Sequence, residues 1–294
     1  MPCFAIRVRS GYALYGSPDL KAWSKLCDVV LPDCTECPDF FPLAVHGGVD
    51  GAPENARWVF WGANGTYLLG GFDGETFAPD GAAQRYDWDG SSYAAQTWSD
   101  LPDGRRIQIA WLRVDPPGMP FSQQMTFPCE LSLRSTPDGV RLCSWPAPEI
   151  EALYSESFRG QGLDLHEGDN PLAGLHGDLL DVWVEFEAGS PDVKLSLTLR
   201  GIEVAYSAAA GELTCQGRAA PLPPVEGRAR LRVLLDRTSI EVFGNGGLVA
   251  LPLAVIPVAE NQSHALTSTG GTTRIVDLQV HTLRSIWEGV RREK

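Results

Sequence analysis

A carboxylate between two thiols is the part of this sequence best suited to acid–base chemistry. Glu36 lies between Cys34 and Cys37, and a proline and two phenylalanines follow closely. Apolar surroundings penalise the ionised form of a carboxyl group and raise its pKa, as a general acid that works near neutral pH requires. The same spacing also describes an exposed loop carboxylate without a chemical role, and spacing alone favours that plainer interpretation.

The pair Cys34 and Cys37 has the C-x-x-C spacing found in zinc sites and in redox motifs. A structural zinc ion needs two further ligands, and the sequence has no second C-x-x-C and no pair of histidines at ligand spacing. The seven cysteines form an odd, scattered set, which is more typical of reduced thiols than of a disulfide framework. Metal or redox chemistry is therefore a minor alternative for this pair.

The charge balance excludes several classes of partner. The 294 residues include 24 Lys and Arg against 37 Asp and Glu, which gives a net charge of −13, and such a surface repels nucleic acids and anionic membranes. Hydrophobic residues make up 44% of the chain and charged residues 21%, as in a globular protein with a buried core. No apolar run reaches the roughly 20 residues of a membrane span, and the N-terminus has no signal-peptide pattern. The sequence as written therefore predicts a cytoplasmic chain with no nucleic-acid or membrane partner.

The first part of the chain is predicted to consist of short strands joined by turns. It is dense in Trp, Gly, Asp and Pro. Residues 56–62 and 65–72 have the pattern of a hairpin with an Asn-Gly turn, and residues 105–112 alternate polar and apolar side chains as a half-buried strand does.

The second part is predicted to have longer strands with cleaner alternation. Val182, Val184 and Phe186 share one face of a strand, and Leu195 begins a similar series. Antiparallel strands with one buried face at this spacing predict a two-sheet sandwich. The proline-rich residues 146–153 mark the join, so we predict one domain over residues 1–150 and a second over residues 151–290.

Six segments, in order along the chain, resemble motifs of one enzyme family. The segment after Cys34 is similar to the Glu-Cys-Pro motif of glycoside hydrolase family 32, which comprises invertases, inulinases and levanases. Cys129 stands where the family usually has Arg. The matching segments are residues 17–23 (S-P-D-L-K-A-W), 36–42 (E-C-P-D-F-F-P), 93–98 (Y-A-A-Q-T-W), 105–111 (R-R-I-Q-I-A-W), 125–131 (M-T-F-P-C-E-L) and 234–243 (L-L-D-R-T-S-I-E-V-F).

The resemblance implies a five-bladed β-propeller followed by a β-sandwich, and hydrolysis of β-fructosides with retention. It gives Glu36 the role of general acid/base, and it implies a fructoside or fructan substrate such as sucrose, inulin, levan or a fructo-oligosaccharide. A retaining mechanism needs a second carboxylate about 5–5.5 Å away as nucleophile. Since carboxylates and water suffice for it, no metal or organic cofactor is expected.

The sequence departs from the family pattern at two motifs. It contains no Trp-x-Asn-Asp-Pro-Asn-Gly segment, which normally carries the nucleophile, and residues 1–35 contain no Arg-Asp-Pro. The predicted fold is therefore all-β, with a partial five-bladed-type propeller that lacks its N-terminal blades, followed by the sandwich. Open strand edges would need cover, from a second copy of the chain, a separate N-terminal blade fragment or a rearranged N-terminus. The alternative function is a catalytically inactive member that binds carbohydrate or a partner subunit.

Five further residues are candidate substrate contacts under this resemblance. Tyr93 and Trp98 could stack on the C–H face of a sugar, although a tryptophan in a β-rich chain is more often part of the core. Asp39 and Asp87 could accept hydrogen bonds from sugar hydroxyls, but both also fit turn positions. Gln96 is a polar residue between small neighbours on a predicted strand.

Overall fold

The computed structural model describes residues 3–8, 11–34, 36–47, 56–86 and 91–286. Nearly every regular element among them is a strand, which confirms the all-β prediction. Within these residues no helix is long and apolar enough to cross a membrane. By contact density the chain divides into two compact units, residues 1–113 with 125–145, and residues 114–124 with 146–294.

The strands of the first part are short. They are β1 (Cys3–Val8), β2 (Gly11–Gly16), β3 (Ser24–Val29), β4 (Asp39–Leu43), β5 (Val45–His46), β6 (Arg57–Trp61), β7 (Thr66–Phe72), β8 (Phe77–Pro79), β9 (Gln84–Arg85), β10 (Ser92–Trp98), β11 (Ile107–Leu112), β12 (Gln124–Met125), β13 (Cys129–Thr136) and β14 (Gly139–Pro146).

The described strands of the first unit form three sheets. The first has the order β1-β2-β3, the second β4-β6-β7-β8 with β9 also on β7, and the third β10-β11-β13-β14 with β5 parallel to β13. Strands β6 and β7 pair antiparallel as a hairpin, which matches the predicted hairpin. Strand β11 lies within the predicted strand of residues 105–112.

Aromatic side chains hold the second sheet against its neighbours. Phe40 on β4 stacks on Trp58 with ring centroids 4.5 Å apart, and its ring edges meet Phe72 and Phe77. Phe60 completes the group and contacts Tyr12 of the first sheet at 5.2 Å. Because aromatic rings bury large apolar areas, this cluster fixes β2, β4 and β6 relative to one another beneath the Glu36 loop.

The second unit contains a short 3₁₀ turn (Pro148–Leu153), which lies where the sequence predicts a join. Its strands are β15 (Tyr154–Leu165), β16 (Leu180–Glu187), β17 (Lys194–Leu199), β18 (Ile202–Ser207), β19 (Glu212–Cys215), β20 (Arg218–Pro221), β21 (Arg228–Leu235), β22 (Ser239–Gly244), β23 (Val249–Ala254), β24 (His264–Thr269) and β25 (Thr273–Leu283).

These strands form two sheets, β15-β25-β16-β21-β22-β23 and β20-β19-β18-β17-β24. The apolar series predicted from alternation are buried, including Val182, Val184 and Phe186 on β16. The first of these sheets also buries one ion pair, in which Arg232 Nη2 lies 2.7 Å from Asp181 Oδ2 and both side chains are almost fully enclosed. A two-sheet sandwich is therefore present, as predicted.

Candidate active site

Hydrogen bonds to backbone atoms fix the loop that carries Glu36. Its carbonyl oxygen accepts the amide of Ala63 at 3.0 Å and the hydroxyl of Tyr12 at 3.2 Å. The carbonyl of Ala63 in turn accepts the amide of Ala94 at 2.9 Å. The buried turn residue Ala63 thus links the Glu36 loop to strand β10, which lies in a different sheet.

Strand β10 is irregular at the point of this link. Its pairing with β11 shifts between Tyr93 and Gln96, and Ala94 has a φ of 54°, a left-handed conformation that is uncommon for a residue other than glycine. Such a bulge redirects side chains that a regular strand would alternate. At this bulge the Tyr93 side chain points toward Glu36.

The hydroxyl of Tyr93 donates a hydrogen bond to Glu36 Oε2 at 2.5 Å. This bond and the negative charge of the carboxylate favour the neutral phenol, with desolvation contributing, and together they raise the pKa of Tyr93 to about 12. The Arg113 guanidinium lies 5.6 Å from the centroid of the Tyr93 ring, and the rings of Tyr93 and Trp111 meet edge to face. The structure therefore brings Glu36 and Tyr93 together, from positions 57 residues apart.

Glu36 itself is exposed. The sequence places two phenylalanines after it, and we expected them to enclose the carboxylate. They point elsewhere, because Phe41 is buried and Phe40 packs into the aromatic cluster. The carboxylate is thus open to an incoming molecule.

Asp39 is engaged by the protein itself. Its Oδ2 accepts the amide and the hydroxyl of Thr97, at 2.9 and 2.7 Å, and its Oδ1 accepts the amide of Phe40. Arg106 donates to the Thr97 hydroxyl at 3.1 Å and lies 4.8 Å from the Phe41 ring centroid. These contacts tie β4 to β10 and use three of the roughly four acceptor positions of the carboxylate.

The remaining predicted contacts differ in position. Gln96 is exposed and donates to the carbonyl of Cys37 at 3.3 Å, so it borders the Glu36 loop. Trp98 is 46% exposed at the end of β10, which is more than a core residue shows. Asp87 lies outside the described residues.

The thiols that flank Glu36 have different environments. Cys34 is buried and Cys37 is exposed, and neither is in a disulfide. In the part of the chain that the structure describes, no group of three or more His, Cys, Asp or Glu side chains is placed to hold a metal ion.

Three contributors to the site carry no signal in the sequence. Tyr12 is a strand residue 24 positions before Glu36, and Ala63 and Ala94 act only through backbone atoms. Only the Asn-Gly turn after Ala63 indicates a tight connection there. Their contribution depends on long-range packing that residue type and spacing do not encode.

Comparisons with known proteins identify the class to which this arrangement belongs. Residues 5–146 match the glycosyl hydrolases family 32 N-terminal domain, and residues 149–282 match the glycosyl hydrolases family 32 C-terminal domain. The chain belongs to glycosyl hydrolase family 32, as the resemblance of its motifs predicted.

Individual relatives agree with this assignment. The chain is 27% identical to a levanase of Bacillus subtilis (strain 168) over 322 residues, which cover 93% of this chain and 47% of the levanase. It is also 27% identical to an extracellular exo-inulinase of Aspergillus ficuum over 334 residues, covering 94% of this chain and 60% of that protein. The chain thus spans about half the length of these relatives.

The fold is similar to that of solved family members. The crystal structure of an exo-inulinase from Aspergillus awamori superimposes with a TM-score of 0.83 at 23% identity, covering 97% of this chain and 64% of that one. A propeller-type first part and a sandwich second part are therefore shown.

Proposed function

We propose that this chain is the acid/base-bearing part of a β-fructosidase, which hydrolyses fructosides or fructans such as sucrose, inulin, levan or fructo-oligosaccharides with retention. The observation that carries the proposal is the exposed Glu36 carboxylate, which accepts a hydrogen bond from Tyr93. In the proposed mechanism Glu36 protonates the glycosidic oxygen as the bond to fructose breaks, and then removes a proton from the attacking water.

Neighbouring residues support this role in different ways. Tyr93 restricts the carboxylate to one orientation, and Gln96 and Trp98 lie on the same strand with exposed side chains that a substrate can reach. We assign the predicted sugar contact to Gln96 and Trp98. Asp39 instead positions β4 against β10, because its oxygens already accept bonds from Thr97 and Phe40.

The mechanism also requires a nucleophilic carboxylate. Four Asp residues within the chain are alternative candidates. Asp28 is exposed and paired with Lys25 at 2.8 Å, Asp39 is engaged as described, Asp33 is exposed, and Asp87 lies outside the described residues. The family's nucleophile segment does not occur in the sequence. We therefore propose that the nucleophile reaches Glu36 either from further propeller blades or from a second copy of this chain.

Fructose release from sucrose, inulin and levan tests the proposal. The purified chain is assayed beside Glu36→Gln, both alone and mixed with a separately expressed N-terminal part of a family 32 propeller. Glu75→Gln is the matched control at an exposed loop carboxylate. Loss of a general acid lowers the rate by about 10²–10⁴-fold, so we expect that loss for Glu36→Gln and no change for Glu75→Gln. An aryl β-fructoside, whose leaving group needs little protonation, should lose much less rate. Equal losses on both kinds of substrate would argue against proton donation by Glu36.

A second candidate function is carbohydrate or subunit binding without catalysis. The absence from the sequence of both the nucleophile segment and Arg-Asp-Pro favours it. Titration calorimetry with inulin and levan distinguishes the two functions. Binding without fructose release, by both the chain and its Glu36→Gln variant, would support the binding function.

The proposed partner is tested by the size of the particle in solution. Light scattering of the purified chain reports whether a second copy associates. Addition of a separately expressed N-terminal part of a family 32 propeller should raise fructose release if that part supplies the nucleophile. No gain from either source would leave the binding function as the better proposal.

A further inference from the structure

The two thiols around Glu36 differ in access but share one loop. Cys37 is exposed and Cys34 is buried, and they are separated by two residues. Their C-x-x-C spacing is the one that redox-active dithiols use. Cys34 is also close enough for its charge to raise the pKa of the Cys37 thiol, after desolvation and the Glu36 carboxylate.

Cys34 is part of the support of Glu36. Its Sγ donates to the carbonyl of Glu36 at 3.8 Å and accepts the hydroxyl of Tyr12 at 3.5 Å. The same Tyr12 hydroxyl also bonds that carbonyl. Gly62 packs directly against the sulfur, since a Cβ at this position would lie 2.6 Å from Cys34 Sγ.

Cys37 shows a second, independent peculiarity. Its φ of 44° is left-handed, a conformation that strains residues other than glycine. Such strain concentrates at functional positions. The thiol is thus presented outward by a backbone conformation that the surrounding loop maintains.

We propose that Cys34 and Cys37 form a thiol-modification site, at which a small aliphatic disulfide such as oxidised glutathione converts the pair into an intramolecular disulfide. The exposed Cys37 thiolate attacks one sulfur of the reagent, whose S–S bond breaks and releases one thiol. Cys34 then attacks the Cys37 sulfur and releases the second thiol, so that two protein thiols and one disulfide become one protein disulfide and two thiols. In the oxidised form Cys34 has no proton to donate to the carbonyl of Glu36, and the support of that loop changes.

The site does not depend on the proposed hydrolysis, because its product is read by mass. The full chain is incubated with oxidised glutathione under native conditions, acid-quenched and cleaved after Glu36, which separates Cys34 from Cys37. A disulfide between them holds the two peptides together until a reductant is added. We expect this linkage in the wild-type chain and in the control variant Cys27→Ser, which replaces a half-buried thiol of β3.

Variants of the pair identify each step. Cys34→Ser should stop at a mixed disulfide with glutathione on Cys37, and Cys37→Ser should leave this loop unmodified. The proposal would be overturned if the wild-type chain formed only the mixed disulfide, stayed fully reduced, or linked Cys37 to Cys27.

The rate of the first step gives a test that needs no cysteine substitution. Below the pKa of a thiol, its thiolate fraction rises about tenfold per pH unit, so the rate of mixed-disulfide formation should rise in the same way. Glu36→Gln removes a negative charge that disfavours the thiolate, and we expect faster modification at a given pH. The modification of this variant is followed by the mass of the intact chain, because the variant has no cleavage site at position 36. A rate that is unaffected by this substitution would contradict attack by Cys37.

Discussion

At the scale of single residues, the site depends on one contact that joins distant parts of the sequence. The residue types alone predict an acid at Glu36 and a surface for a sugar at Tyr93. The structure adds that the Tyr93 hydroxyl is bonded to the carboxylate. Tyr93 therefore fixes where the Glu36 carboxylate points, in addition to the aromatic face that its residue type predicts.

The ionisation of Tyr93 reports this contact directly. The hydrogen bond to Glu36 favours the neutral phenol and holds the pKa of Tyr93 at about 12, above the ordinary value of about 10. In Glu36→Gln we expect the tyrosinate absorbance of Tyr93 to appear at lower pH. The titration of a Tyr93→Phe variant identifies the part of the absorbance that comes from Tyr93. Because the folded-state pKa is raised, the contact stabilises the fold fully below pH 10 and is lost as the pH rises through 12. An unchanged titration in Glu36→Gln would mean that the two side chains do not interact in solution.

At the scale of elements, most strands could be predicted and their irregularities could not. The hairpin of β6 and β7 and the apolar face of β16 follow from alternation, which residue types record directly. The bulge at Ala94 does not, because an alanine with positive φ gives no local signal. The same holds for the link through Ala63, which uses only backbone atoms. The sequence thus predicts which strands exist but not how β10 turns Tyr93 toward Glu36.

Strand β7 contains a close approach that only glycine permits. A Cβ at Gly70 would lie 2.3 Å from the carbonyl oxygen of Ala78 on β8, whereas a Cβ at the neighbouring Gly71 would have nothing within 4 Å. Overpacking of this kind costs about 1–3 kcal/mol. We expect Gly70→Ala to lower the free energy of unfolding by that amount in urea titrations and Gly71→Ala to change it little. Similar free energies of unfolding for the two variants would show that β8 can move away from β7 without cost.

The buried pair of Asp181 and Arg232 joins β16 to β21. Arg232 donates to both oxygens of Asp181 and also to the carbonyl of Pro146, and its guanidinium lies 4.2 Å from the Trp183 ring centroid. Removal of one partner leaves an uncompensated buried charge, which costs about 3–5 kcal/mol. We expect such a loss for Asp181→Asn in urea titrations. A matched control is Asp178→Asn, since the Asp178 pair with Arg237 is solvent-exposed and such pairs contribute about 0–1 kcal/mol.

At the scale of the whole molecule, family and fold followed from the sequence, whereas activity did not. Six motif segments in the right order were enough to indicate the family, and the matches over residues 5–146 and 149–282 agree. The proposed activity requires a second carboxylate near Glu36, and no residue pattern in the given sequence specifies one. Family membership and fold therefore do not assign an activity by themselves, because fold similarity does not supply a nucleophile.

The response of the molecule to mild acid is set partly by a buried histidine of the second unit. The side chain of His264 is bonded to the carbonyl of Gly177 through Nε2, while its Nδ1 is buried without a partner, and burial lowers its pKa. The unfolded chain therefore binds a proton near pH 6.5 that the folded chain does not. Stability should be fully present above that pH and fall as the pH drops through it, by at most about 1.4 kcal/mol per pH unit for one proton. We expect His264→Phe to flatten this dependence between pH 7 and 5 in urea titrations, and His46→Gln, at an exposed histidine of the first unit, to leave it unchanged. An equally steep fall in His264→Phe would assign the acid sensitivity to other groups.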